Sequence, residues 1–68
     1  MYKVDKQTVA ANLRKLRGTR RIEVVAKALD ITPSALSNYE NAIRLPRDEV
    51  KARIANYYGE TIENIFFT

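Results

Sequence analysis

The chain has 68 residues with no His, no Cys and two Gly, which excludes His-based acid–base chemistry, thiol nucleophiles, disulfide staples and the usual zinc sites. So short a chain buries only about 60% of the surface its unfolded form exposes, leaving little interior for a deep substrate pocket. Twelve Lys and Arg against eight Asp and Glu give a net charge of +4, which favours nucleic acid or another anionic surface as partner.

That charge is uneven. Residues 1–46 carry nine bases and four acids, while residues 47–68 carry three bases and four acids. Five of the eight residues from Arg14 to Arg21 are basic and none is acidic, so the positive field is concentrated early. No apolar run approaches the ~20 residues of a membrane span, and no signal-peptide core opens the chain. With 46% hydrophobic residues and no repeat or linker-like stretch, residues 1–68 are expected to fold as one domain. The absence of cysteine and of targeting signals leads us to expect a cytoplasmic protein.

In chain order, Asp5 is a candidate N-cap, followed by Val9, Leu13 and Leu16 on one helical face. Gly18 stops this first helix. A second helix shows Ile22, Val25, Ala26 and Leu29 at helical spacing, with Thr19 or Arg21 at its start and Asp30 at its end. Ile31 supplies an apolar contact across the turn. Thr32-Pro33 is a capping hydroxyl followed by Pro at the first helical position, where the missing N–H costs nothing. A third helix runs from Pro33 to about Glu40, with Asn41 as its expected left-handed stop. The segment 42–46 is extended, because Pro46 pushes Leu45 out of the α region. A fourth helix, about Asp48 to Tyr58, has acids in its first turn and Val50, Ile54, Tyr57 and Tyr58 inward, and Gly59 closes it. Thr61 caps a last short helix carrying Ile62, Ile65 and Phe66. The reading is all-α: five short helices and no strand.

On a helical wheel Ser34, Ser37, Asn38 and Asn41 fall within roughly a third of the circumference of the third helix, with Leu36 and Tyr39 opposite. An outward face of this kind is ordinarily just solvated. Here it is small, polar and uncharged, which is what base edges in a major groove can use: Asn pairs with adenine in bidentate fashion, and Ser meets donors or acceptors. The tight turn before the helix and the basic segment Arg14–Arg21, able to sit over phosphates, weigh towards DNA.

Other features point away from chemistry. Asp48-Glu49 suit a helix N-terminus, and Glu60 and Glu63 suit a solvated surface. Two glycines cannot make a phosphate-binding loop. No enzyme, cofactor or metal is expected. Tyr57-Tyr58 and Phe66-Phe67 are adjacent pairs, and a helical period buries only one member of each well. Tyr58, Phe66 and Phe67 are therefore candidates for a dimer contact as well as for closing the core. Val24 lies off the inner face and reads as incidental.

Segments VAKALDITPSALSNYENAIRLP (25–46) and IANYYGETIENIFF (54–67) resemble the Xre/phage-repressor class of helix-turn-helix regulators. The ungapped likeness covers roughly residues 13–67 and includes the S-x-Y-E-N end of the third helix, the Pro after it and the terminal Ile-Phe. The resemblance implies a compact, five-helix, lambda-repressor-like DNA-binding domain with its helix-turn-helix at helices 2 and 3. It also implies a homodimer on a two-fold symmetric, double-stranded DNA operator. Carried over by position, Pro33, Ser34, Ser37 and Asn38 face base edges, and Thr32, Asn41 and Arg44 hold phosphates. Glu40 matches a position that pairs with an arginine of the first helix, Arg17 or, failing that, Arg14. The chain departs from the pattern in three places. Asp30 and Ala42 stand where glycines are usual, so the chain leaves the third helix through Asn41 or by another route. Arg21 and Ile22 stand where a capping hydroxyl and Gln are usual, so Arg20 or Arg21 is expected to hold phosphate as a point charge.

The expected function is sequence-specific transcription regulation, most simply repression. The alternative is a DNA-binding antitoxin or protein-interaction module on the same fold, with a toxin or protein antagonist as partner. No effector domain is evident, so any switch is expected to act through a partner, degradation or competition.

Overall fold

The computed structural model describes residues 5–67; Lys3, counted above in the basic half, lies outside them. Helix α1 spans Lys6–Arg17, α2 Ile22–Ala28, α3 Pro33–Glu40, α4 Asp48–Tyr58 and α5 Ile62–Phe66. No strand occurs among the described residues.

Local chemistry explains the helix starts. The Asp5 carboxylate accepts from the Gln7 amide and the Thr8 hydroxyl, both at 3.0 Å, satisfying a donor that the first turn otherwise leaves unpaired. Thr32 Oγ1 accepts from the Ala35 amide at 3.0 Å ahead of Pro33, and Thr61 Oγ1 accepts from the Asn64 amide at 3.1 Å. The N-cap of α2 is Arg21, which makes no side-chain cap bond. Thr19 lies too early to serve.

Three helix ends share one device. After α2, α3 and α4 a single residue turns left-handed: Asp30 (φ 59°), Ala42 (φ 60°) and Gly59 (φ 67°). In each case the next amide bonds back to the carbonyl five residues earlier: Ile31 to Ala26, Ile43 to Asn38 and Glu60 to Ala55, at 2.9–3.0 Å. This pattern satisfies carbonyls that the last turn leaves open. It corrects the expectation for α3. Asn41 is not its left-handed stop (φ −110°), and Ala42 takes that role. Asn41 instead turns its side-chain amide back onto Ser37, donating to the carbonyl at 2.8 Å and to Oγ at 3.1 Å. The geometry usual for glycine is thus kept by an alanine.

The core gathers Val9, Ala10 and Leu13 from α1, Val25, Ala26 and Leu29 around α2, Leu36 from α3, Val50, Ile54 and Ala55 from α4, and Ile65 and Phe66 from α5. Helix α3 packs against α1 and α2, and α5 against α1 and α4. Polar staples fix these contacts. Asn12 Nδ2 donates to the Ile65 carbonyl at 3.0 Å, and Arg53 Nη1 donates to the Leu29 carbonyl at 2.8 Å, capping α2 from α4. Two expectations about α4 and α5 change. Ala55, not Tyr57, faces inward, and Tyr57 stays 38% exposed. Phe66 is completely buried, so it closes the core and has no surface left for a dimer contact. The buried stripe of α4 is centred on the side of Ile54, Tyr58 and Ala55, which leaves Tyr57, next to Val50 on the helical wheel, at its rim.

Left-handed geometry costs an L-residue roughly 1–2 kcal/mol, whereas glycine adopts it freely but loses more entropy on folding. Ala42→Gly is therefore expected to stabilise the domain by about 0.5–1 kcal/mol, raising Tm by roughly 2–8 °C. Asp30→Gly should gain less, because Asp tolerates this region better than Ala. Thermal melts of both variants by circular dichroism check the order.

Candidate nucleic-acid interface

Helix α3 presents Pro33 and Ser34 to solvent, with Ser37 and Asn38 half-buried beside them and Asn41 exposed at its end. Four of the sequence-predicted positions, Ser34, Ser37, Asn38 and Asn41, thus lie along one side of a helix whose opposite side buries Leu36. Ser37 and Asn41 are joined by their own hydrogen bond. The amides of Ile43 and Arg44 both bond to the Asn38 carbonyl, at 2.9 and 3.3 Å, so the loop after α3 folds back against the same end of the helix. Arg44 is exposed there. Thr32, whose hydroxyl oxygen already accepts from Ala35, is exposed at the other end; its own hydrogen remains a donor.

The orientation of this face is set from behind. Glu40, on the last turn of α3, is only 3% exposed. Its carboxylate oxygens accept from Arg17 Nε at 2.8 and 3.0 Å, while its main-chain carbonyl accepts from Arg14 Nη1. Both arginines named for Glu40 therefore engage it, through different atoms. Arg17 Nη1 also donates to the Arg20 carbonyl at 2.7 Å, so one guanidinium joins α3 to the α1–α2 connection. The hydrogen bond to Glu40, together with that carboxylate's charge, outweighs burial and raises the Arg17 pKa above its ordinary value. Arg17 stays charged wherever the domain is folded.

The remaining arginines differ in use. Arg20 Nη1 donates to the Leu16 carbonyl at 3.2 Å, and its guanidinium lies 5.9 and 5.6 Å from the ring centroids of Tyr57 and Tyr58. It is seated on aromatic faces, where cation–π attraction holds it. Arg21, at the start of α2, reaches into solvent, with only a loose 3.5 Å pairing to Glu23. Both arginines considered for phosphate at this helix start are exposed, but only Arg20 is also held by a carbonyl and two rings.

At the aromatic end, Tyr57 and Tyr58 meet edge to face, with centroids 5.1 Å apart. Tyr58 is half-buried, and its hydroxyl has no hydrogen-bond partner among the described residues. Burial first, then the nearby charge of Glu40, pushes its pKa above the usual tyrosine value, with Arg20 and Arg17 opposing. Phe67 is half-buried, with Lys51 Nζ 5.3 Å from its ring centroid. One exposed apolar residue escaped the sequence reading altogether: Ile43, 62% exposed. The signal was there, an isoleucine directly after the helix-ending residue, but such a residue ordinarily packs back onto its helix. Among the described residues no acidic, His or Cys cluster could hold a metal, and no helix is long and apolar enough to cross a membrane.

A helix-turn-helix family model (HTH_3) matches residues 11–65. The chain belongs to this helix-turn-helix family. Membership makes it a DNA-binding transcription regulator. The solution structure of the SOS-response transcriptional repressor LexA from Eubacterium rectale is similar, with a TM-score of 0.82 at 19% identity, over 93% of this chain and 71% of that one. Two crystal structures of the clp gene regulator ClgR from Corynebacterium glutamicum give TM-scores of 0.78 and 0.75 at 21% identity, over 88% of this chain and 66% and 80% of theirs. At these identities the likeness shows a shared fold. No curated protein sequence matches the chain.

Two predictions concern the support of the face. Leaving a buried carboxylate without its partner costs about 3–5 kcal/mol, most of what so small a domain has. Arg17→Met should therefore lose at least about 3 kcal/mol in urea melts, and Arg17→Met/Glu40→Leu should recover much of it. A loss under about 1 kcal/mol in the single variant would show that the pair does not anchor α3. The second concerns alkaline pH. The Tyr58 pKa is raised in the folded state, so folding favours its neutral form. That contribution is complete below the unfolded value near 10 and is lost as pH climbs towards the folded value. Stability should fall above about pH 10, and Tyr58→Phe should flatten the fall without destabilising at pH 7, since the hydroxyl it removes is unpaired.

Proposed function

We propose that the chain is a sequence-specific transcriptional repressor that binds a palindromic operator as a homodimer, with α3 in the major groove. The observation that carries this reading is the uncharged polar side of α3, backed by a buried ion pair that fixes its orientation. Pro33, Ser34, Ser37 and Asn38 take the base edges. Thr32, Asn41, Arg44 and Arg21 take phosphates on either side, positioning the helix without reading sequence. Arg20 contributes to the basic field from its seat on the tyrosines and needs to leave it to reach a phosphate directly. Residues 1–46, which include α3, also hold the excess of positive charge, so binding should weaken steeply with salt.

Dimerisation is assigned to the less basic C-terminal region, where Tyr57 and the edges of Tyr58 and Phe67 reach the surface. The exposure of Tyr57 also favours a second reading, an antitoxin or interaction module in which that surface holds another protein. Sedimentation of the purified chain distinguishes them: a homodimer supports the first, and a monomer that co-purifies with an untagged native partner supports the second.

A selected-site experiment tests DNA reading itself, with an inverted repeat whose half-sites lie about one helical turn apart as the expected result. Return of no preferred sequence would sink the proposal. On the selected site, Asn38→Ala should relax preference at one position per half-site, losing about 1–3 kcal/mol of discrimination there. Arg44→Ala should weaken all sequences alike and reduce the salt slope by about 1.

A further inference from the structure

The left-handed helix ends after α2 and α3 are built alike, but the isoleucines that follow them are used differently. Ile31, after Asp30, is half-buried and packs against the core. Ile43, after Ala42, is 62% exposed, more than any other large hydrophobic side chain described. Both amides make the same bond back to their helix, at 3.0 and 2.9 Å. An apolar residue at this position ordinarily contacts its own helix, so the exposure of Ile43 leaves its side chain without the usual structural task.

The Asn38 carbonyl accepts from both Ile43 and Arg44, which places Ile43 beside Asn38 and directly before the exposed Arg44. Resting on the reading above, these are a base contact and a phosphate contact, with Ile43 between them. Base edges in the major groove offer a single apolar group, the C5-methyl of thymine. We infer that Ile43 is a specificity-determining residue that packs on a thymine methyl group next to the base read by Asn38. The residue suits that task. Its backbone is pinned by the bond to α3 and its β-branched side chain has few rotamers, so little freedom is lost on contact.

The test uses the operator returned by site selection, with each thymine replaced singly by deoxyuridine, which removes only the methyl group. Binding of the full chain is read by fluorescence anisotropy. For the unsubstituted protein, one thymine per half-site should be sensitive, its replacement weakening binding about 3- to 10-fold, as expected for one buried methyl pair. Ile43→Ala should bind the all-thymine operator more weakly by a similar factor, be indifferent to deoxyuridine at that position, and keep the same salt slope. Ile43→Val should retain most of the sensitivity. Unchanged melting temperatures confirm that the exposed substitutions leave the fold intact. If the deoxyuridine profiles of the unsubstituted protein and Ile43→Ala coincide on a selected operator, this assignment is overturned while DNA reading stands. If Ile43→Ala shifts the oligomeric state and leaves the profile alone, Ile43 belongs to a protein contact and the assignment is again overturned. If no sequence is selected, both readings fall together.

Discussion

The carboxylate of Glu40 is the constraint on which the rest of the arrangement depends. A buried, unpartnered charge is among the most expensive things a small domain can contain, so α3 can dock only where Arg17 reaches it. The same guanidinium holds the Arg20 carbonyl, and Arg14 holds the carbonyl of Glu40 itself, one of those the last turn of α3 cannot satisfy. Helix α3, the preceding helices and the connection between them are therefore locked by one polar joint. The joint specifies a register between α1 and α3 that apolar packing alone would allow to slide, because Leu13 and Leu36 supply no directional contact.

That joint also changes the meaning of the basic segment. Read as composition, Arg14 to Arg21 is a positive patch. In the fold, Arg14 and Arg17 are spent on Glu40, and Arg20 lies on Tyr57 and Tyr58. Of these five bases only Arg17 is paired with a buried carboxylate, while Arg14, Lys15, Arg20 and Arg21 keep their charge at the surface. The polar side of α3 is itself uncharged, with the exposed Arg44 in the loop that folds back against its end. On nucleic acid, point charges add affinity for every sequence, whereas amides and hydroxyls discriminate between bases.

The three left-handed helix ends show how one backbone solution tolerates different residues. Gly59 adopts the geometry freely, Asp30 is a tolerable substitute, and Ala42 holds it under strain. Arg53 reaches the Leu29 carbonyl next to Asp30, so the end of α2 is supported from α4. The end of α3 has no equivalent brace from α4 among the described hydrogen bonds. Its backbone bonds from Ile43 and Arg44 to Asn38 hold it instead, and they bring the loop beside the polar side of α3.

The sequence alone determined the helices and every start but that of α2, where both Thr19 and Arg21 stood, because caps and apolar periods are local. Asp5, Thr32-Pro33 and Thr61 act within three residues of themselves, and Leu13, Val25, Leu36 and Ile54 recur at the helical period wherever the helices end up. It also nominated Glu40 with Arg17 or Arg14 through family likeness, and the polar side of α3 through the wheel. Tertiary structure decided what spacing cannot express. Whether Tyr57 or Ala55 faced inward, and whether Phe66 was core or contact, depended on how far round the apolar stripe the neighbouring helices reach. Whether Asn41 or Ala42 turned left-handed depended on which backbone bonds the folded loop could close. The fate of each arginine depended on the carboxylate, carbonyls and rings brought close by folding, since a charge in sequence carries no record of the groups it will meet.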